Sequence, residues 1–313
     1  MGDPWGVGPE LLAEAAARPS VRRACRLLVF GDAAVLSRGA ALRHVRLPAD
    51  LEIVPIGRIS GRFAFGHPPR GGGALPFACL VAAVEAARGR RIDALCTGPV
   101  NKALIARSAP GFTGHTGWLA DRLGARRVLM LLAGPTLRVA LATVHVPLSR
   151  VCGLLSTGGV AADLALLDRG LRRFFGARQP RIAVCGVNPH AGEGGLLGRE
   201  ETAVIAPAIR RARRAGIDAE GPFPADSLFA RAVRSRRWDA ILAMNHDQGL
   251  GPLKAVDFER AVNVTLGLPL PRTSPDHGVA YDIAGRGIAD PTSFVEALRL
   301  AASMAGGSGG GRP

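Results

Sequence analysis

Three histidines stand in the same local setting. His145 closes "LRVALATVH", His190 closes "RIAVCGVNPH" and His246 closes "DAILAMNH". Each follows an apolar, β-prone run within a few residues. In open α/β sheets, ligand sites lie beyond the carboxyl ends of the strands. Three imidazoles at three such ends are therefore placed to share one ion, and neutral imidazole is a ligand for zinc and related divalent metals. A single histidine in this position is more often held by a backbone hydrogen bond, so it is the repeated context that points to ligation. Asp247, beside His246, suits either a ligand or an acceptor that orients the ring.

Lysine is the second marker. The chain has 40 Lys and Arg residues together, of which only Lys102 and Lys254 are lysine. Both fall in Gly- and Pro-rich stretches behind apolar runs, "TGPVNK" and "NHDQGLGPLK", which read as loops. A compact ammonium is chemically distinct from the guanidinium fork used elsewhere in the chain, so both lysines suit a small polar ligand. His115 and Thr116, in "GFTGHTGWL", stand near an expected helix start, a place suited to an anion. Arg272, after "GLPLP", adds a planar donor for phosphate or carboxylate. "NPHAGEGGLLGREE" surrounds His190 with glycines that permit positive φ or close approach to a ligand; its plainer reading is a flexible surface loop. "DHGVAYDIAGRGIADP", with Gly278, Gly285, Gly287, Asp282 and Asp290, can wrap a polar ligand. There is no G-x-G-x-x-G fingerprint, which leaves an ordinary Rossmann assignment unsupported.

These groups need a scaffold. Apolar β-prone runs at 26–31, 92–98, 128–134, 137–144, 181–187, 238–244 and 261–267 alternate with helical patterns at 74–90, 164–175, 200–216 and 291–304. The two runs around Gly134-Pro135 read as a hairpin, and Gly216 as a helix stop. The alternation predicts an α/β fold with a mainly parallel sheet and helical cover. "GDPWGVGPELLAEAAA" reads as a Gly/Pro loop opening a helix. Such loops normally follow a strand, so the first strand is expected to be missing here and to be encoded upstream of Met1. The tail "AGGSGGGRP" is of low complexity and expected to be disordered.

Composition narrows the class. The 313 residues are 48% hydrophobic, enough for one large α/β domain or two lobes. No apolar run reaches the roughly 18 residues of a membrane span, and no signal peptide is visible in the sequence. The five cysteines form no C-x-x-C pair and read as reduced core residues of a cytoplasmic protein. The net charge of +15 suggests nucleic acid. However, the arginines spread over predicted helix faces without aromatics to stack bases, so neither a nucleic acid nor a membrane partner is expected.

Taken in order along nearly the whole chain, "GDPWGVGPE", "TGPVNK", "GHT", "HVPL", "NPHAGEGGLLGREE", "HDQGLGPLK" and "VNVTLGLPLPRTSPDHGVAYDIAGRG" resemble the 4-hydroxythreonine-4-phosphate dehydrogenase family of vitamin B6 biosynthesis. The resemblance implies a two-lobed α/β/α fold like that of isocitrate and isopropylmalate dehydrogenases. One lobe would comprise 1–115 plus 255–313 on the cofactor side, and the other 116–254 with the metal, substrate and dimer contacts. It implies a homodimer whose divalent metal (zinc, or else cobalt, magnesium or manganese) is held by His145, His190 and His246 drawn from both subunits. It implies that His115, Thr116, Lys254, Asn263 and Arg272 bind a phosphorylated hydroxy-acid substrate. His277, Gly278, Asp282 and Asp290 would lie along the adenosine half of NAD or NADP. The implied reaction is oxidation of a secondary alcohol followed by decarboxylation, with Lys254, Asp247 or a metal-bound water taking the hydroxyl proton. Two positions depart from the family pattern: Gly117 stands where an acidic residue is expected, and Asn245 where an aromatic one is. Both touch the substrate region. They keep open sister substrates, D-threonate or D-erythronate 4-phosphate or a cyclic diol dicarboxylate, as well as a metal-dependent hydrolase or lyase without NAD.

Overall fold

The computed structural model describes residues 1–307. The chain opens with α1 (Gly8–Ala17), α2 (Pro19–Arg22), β1 (Leu28–Gly31), α3 (Ala33–Leu42), β2 (Glu52–Pro55), α4 (Ala74–Arg88), β3 (Leu95–Cys96), α5 (Lys102–Ser108) and α6 (His115–Arg122). It continues through β4 (Leu129–Ala133), β5 (Arg138–Leu141), α7 (Val151–Leu154), α8 (Thr157–Phe175), β6 (Arg181–Cys185), α9 (Ala206–Arg214), β7 (Asp218–Phe223), α10 (Ala225–Ser235), β8 (Ala240–Ala243), α11 (His246–Asp257) and β9 (Val262–Leu266). It closes with β10 (Arg272–Pro275) and α12 (Thr292–Ala305). The fold is mixed α/β with mostly parallel strands. No strand precedes α1 among the described residues.

Two compact units result, Met1–Arg126 with Leu268–Ala305, and Arg127–Gly267. In the first, β1 pairs in parallel with β2 and β3 in parallel with β10. Its core joins Val7 and Leu11 of the α1 turn, Leu36 of α3, and Phe294, Val295 and Leu298 of α12. In the second unit the strands run in the order β9-β4-β5-β8-β6-β7. β4 is antiparallel to both neighbours, which includes the expected hairpin with β5. From β5 onward every pairing is parallel. Leu132, Val139, Leu141, Ala183, Ile241 and Ala243 are buried between the strands and their helices. A leucine side chain buried in this way contributes about 1.5–3 kcal/mol relative to exposure.

Several elements differ from the sequence reading. α8 starts seven residues before the expected 164, because Ser156 caps it by accepting from Gly159 N–H at 3.1 Å. The glycines of "STGGV" mask that start. β3 spans only two residues before "TGPV" ends it, although Thr97 N–H still bonds Thr273 O. "NHDQGLGPLK" is no loop. Asn245 accepts from Gln248 N–H at 3.0 Å and caps α11, so His246 and Lys254 both ride on a helix. A Cβ on Gly249 would meet Leu141, Val139 and Ala243, so this glycine serves close packing on β5 rather than flexibility. Lys102 is likewise the first residue of α5, capped by Asn101. All five cysteines are free, but Cys152 is exposed on α7 and is no core residue. No single helix is long and apolar enough to cross a membrane among the described residues.

Candidate active site

The second unit places the three histidines beyond the ends of three adjacent parallel strands, β5, β8 and β6. Beyond the β5–β8 ladder, Ala142 N–H bonds Ala243 O, and Thr143 donates from both N–H and Oγ1 to Met244 O. The two strand ends are thus tied where His145 and His246 leave them, and the ring centroids stand 5.6 Å apart. His246 Nδ1 lies 2.7 Å from Asp247 Oδ1. That contact fixes the ring and directs Nε2 away from the carboxylate, which is how metal-binding imidazoles are usually oriented. Asp247 is otherwise fully in solvent, at 97% exposure.

His190 does not join this pair. No group of three or more His, Cys, Asp or Glu side chains is arranged to hold a metal among the described residues. His190 is exposed and 3.6 Å from Glu193. It opens a left-handed turn: His190, Ala191, Gly192, Glu193 and Gly194 all have φ between 43° and 77°. The non-glycine members each cost about 1–2 kcal/mol in this region, so the surroundings must hold the turn. Glu201 does so from inside. Its buried carboxylate accepts from Val187 N–H and Asn188 N–H at 2.8 Å each and from Asn188 Nδ2 at 3.0 Å. A Cβ on Gly192 would come within 2.5 Å of Glu201 Oε2, so only glycine fits the turn there. The segment therefore has the positive φ expected of its glycines and is braced, unlike the flexible loop of the plainer reading. Glu201→Ala should cost about 3 kcal/mol by stranding two amides, and Glu201→Gln about 1 kcal/mol, because the amide oxygen can still accept from both. Urea unfolding checks this: equal losses in the two variants would show that the hydrogen bonds are not what holds the turn.

Two other expected ligand groups lie in this unit. Lys254, two turns along α11 from His246, sets Nζ 5.7 Å from the centre of the Phe258 ring. Asn263 lies in β9 opposite Leu132, and its buried Oδ1 has no hydrogen-bond partner among the described residues. Such an acceptor usually has a partner, whether protein, water or ligand.

In the first unit, His115 and Thr116 begin α6, and Arg272 begins β10. Arg272 is buried and donates from Nη2 to Thr97 Oγ1 at 2.7 Å; burial lowers its guanidinium to about 10. His115 is held well below its ordinary value, first by burial and then by the positive Arg272 and Lys102. The two positive charges that act on His115 would also act favourably on an anion there. Gly117, in the first turn of α6, leaves open the space a side chain would fill beyond Thr113.

The 276–291 segment follows β10. His277 Nδ1 is 3.0 Å from Gly278 O, and its buried Nε2 has no partner among the described residues. A Cβ on Gly278 would meet open space. Asp282 is exposed. Asp290 accepts from Thr292 N–H and Oγ1 at 2.8 and 2.6 Å, so it turns the chain into α12, and these bonds lower its carboxyl. The segment is anchored by residues the sequence reading passed over. Tyr281 donates to Asp3 Oδ2 at 2.6 Å, Gly287 N–H bonds the buried Glu10, and Arg43 donates to Gly287 O. Burial raises the Asp3 carboxyl, and the Tyr281 hydroxyl is the largest influence opposing that rise.

The sign of the Asp3 effect follows from this raised value. The folded chain holds the Asp3 proton more tightly than the unfolded chain does. The resulting destabilisation is fully present at neutral pH and is relieved as pH falls toward 3.8. Tyr281→Phe raises the carboxyl further. The variant should lose about 1.5–3 kcal/mol at pH 7, with the gap narrowing toward pH 4. Urea unfolding at both pH values measures it, and a pH-independent gap would rule out the ionic hydrogen bond.

The model of the family described as "Pyridoxal phosphate biosynthetic protein PdxA" matches residues 23–301. The 4-hydroxythreonine-4-phosphate dehydrogenase of Burkholderia vietnamiensis is 47% identical over 319 residues, covering 97% of this chain and 94% of that protein. Among solved structures, the 4-hydroxythreonine-4-phosphate dehydrogenase of Burkholderia phymatum is similar with a TM-score of 0.83 at 39% identity, covering 97% and 96% of the two chains. A terephthalate 1,2-cis-dihydrodiol dehydrogenase from Burkholderia xenovorans is also similar, with a TM-score of 0.66 at 30% identity over the same coverage. On sequence and architecture alike, this chain belongs to the pyridoxal phosphate biosynthetic protein PdxA family and is a dehydrogenase by class.

Proposed function

We propose that the chain is an NAD-dependent, divalent-metal-assisted dehydrogenase that oxidises and decarboxylates 4-phosphohydroxy-L-threonine to 3-amino-2-oxopropyl phosphate in vitamin B6 biosynthesis, acting as a homodimer. The observation that carries the reading is the His145–His246 pair, with His246 oriented by Asp247. These residues would supply two donors to the metal, and His190 of a second copy would supply a third. Leu148, three residues past His145, and Leu196, in the His190 segment, are both exposed apolar side chains and favour such a pairing of copies.

When bound, the nicotinamide supplies a hydride acceptor and the metal a Lewis acid. The chain's own groups do the rest. Arg272, His115 and Thr116 hold the anionic end of the substrate, and the neutral His115 can donate to it without competing for charge. Lys254 and Asn263 also bind the substrate, with the unpartnered Asn263 Oδ1 as an acceptor. Lys254 as the neutral amine, or Asp247 through its exposed carboxylate, would take the hydroxyl proton. His277, whose buried Nε2 has no partner among the described residues, and Gly278, which leaves room above the backbone, would lie along the cofactor with Asp282 and Asp290.

A sister substrate is the second reading. It is favoured by the likeness to the terephthalate dihydrodiol dehydrogenase and by the open space at Gly117. NADH production by metal-loaded protein, with and without chelator, tests both. Chelator-sensitive turnover of 4-phosphohydroxy-L-threonine is the expected result. Turnover of D-threonate or D-erythronate 4-phosphate, or of a cyclic diol dicarboxylate, in its place would move the pathway. Substrate hydrolysis without NADH would favour the metal-dependent hydrolase.

A further inference from the structure

The two histidine-bearing segments of the second unit are joined by one side chain. Gln248, two residues after His246, accepts from Met244 N–H through Oε1 at 2.7 Å and donates from Nε2 to Gly186 O at 2.6 Å. Met244 is the residue on which the end of β5 also bonds, ahead of His145. Gly186 is the last residue of the β6 line before the His190 turn, and its own N–H is taken by Phe223 O. The amide therefore spans from the His145–His246 end to the root of the His190 segment. Its orientation is set by its partners, since only one placement of O and NH₂ satisfies an N–H on one side and a carbonyl on the other.

Resting on the metal reading above, we infer that Gln248 is a positioning residue. It fixes the β8–α11 junction against the root of the His190 turn, so that each copy holds its His145–His246 pair and its own His190 turn at the set spacing with which two copies meet around each ion. Neither neighbouring carboxylate can replace it. Asp247 points at His246, and Glu201 is engaged by Val187 N–H and Asn188 N–H. A glutamate at 248 keeps the length and the acceptor but has no donor for Gly186 O. A methionine keeps the volume and loses both bonds.

The test is zinc affinity by competition with a coloured chelator, together with the visible spectrum of the cobalt-loaded protein, on the full chain. Wild type, His246→Ala, Gln248→Met and Gln248→Glu are compared at a temperature where all are folded by circular dichroism. The expected result is that wild type binds, His246→Ala does not, and both Gln248 variants bind about 10- to 100-fold more weakly with an altered cobalt spectrum. If Gln248→Met does not fold, Gln248→Glu carries the comparison. Wild-type affinity and spectrum in the Gln248 variants, with His246→Ala defective, would overturn this inference and leave the metal reading standing. Absence of binding by wild type, or full binding by His246→Ala, would overturn the metal reading and this inference with it.

Discussion

His190→Ala and His246→Ala chains should each lose chelator-sensitive turnover by about a thousandfold or more, the loss expected when a metal's contribution is removed, and a mixture of the two should regain activity. The recovery follows from where the structure puts the rings. His145 and His246 are neighbours on one chain, while His190 sits on its own exposed turn. If the site takes His190 from one copy and the pair from the other, a mixed dimer has one site carrying both lesions and one site intact. Random re-association after mild denaturation gives about half mixed dimers, and hence about a quarter of wild-type turnover. Mixing His145→Ala with His246→Ala should restore nothing, because each site of the mixed dimer then carries one of the two lesions, and only a pair split between copies would gather both lesions into one site and leave the other intact. Recovery in that second mixture, or none in the first, would sink the arrangement. Bound zinc per chain, measured on the same samples, should follow turnover.

The strand ends were legible because burial writes itself into sequence. β5, β6 and β8 are buried on both faces and therefore appear as unbroken apolar runs, and a histidine just past each run is visible without a structure. The supports of those histidines were not legible. Glu201 and Gln248 act through hydrogen bonds to Val187, Asn188 and Gly186, which come near only when β6, β8 and α11 are assembled. Read alone, a Glu in "GREE" or a Gln in "HDQG" is a surface polar residue. Glycine was read rightly in one place and wrongly in another. Around His190 it takes the positive φ expected of it, in a braced left-handed turn rather than the flexible loop of the plainer reading. At Gly249 it argued against a helix, where it lets α11 lie on Leu141 and Val139. The same limit applies to Asp290, whose hydrogen bonds to Thr292 give it a turn-forming role that a ligand-loop reading does not anticipate. It applies again to Asp3 and Tyr281, which meet across 278 residues of chain.

The largest effect away from the imidazoles is expected from Leu196→Asp. Leu196 is 84% exposed and Leu148 75% exposed in the single chain, and each lies in a histidine-bearing segment. Within the isolated chain, substitution of so exposed a residue changes stability by no more than about 0.5 kcal/mol. Across a two-fold interface the substitution acts twice. Each copy loses about 1.5–3 kcal/mol of apolar burial and must desolvate a carboxylate with no cation in place to meet it. The dimer dissociation constant should rise by about a thousandfold or more. Light scattering behind size exclusion should show monomer at micromolar concentration, with an unchanged circular dichroism spectrum and with zinc binding lost. Leu148→Asp should behave alike. The control is Ile288→Asp, which places the same charge on another exposed apolar residue, 66% exposed, in the first unit. It should leave the dimer and the metal intact. A Leu196→Asp chain that stays dimeric with full zinc content would show that this surface is not where two copies meet, and the third imidazole would then have to be sought elsewhere on the chain.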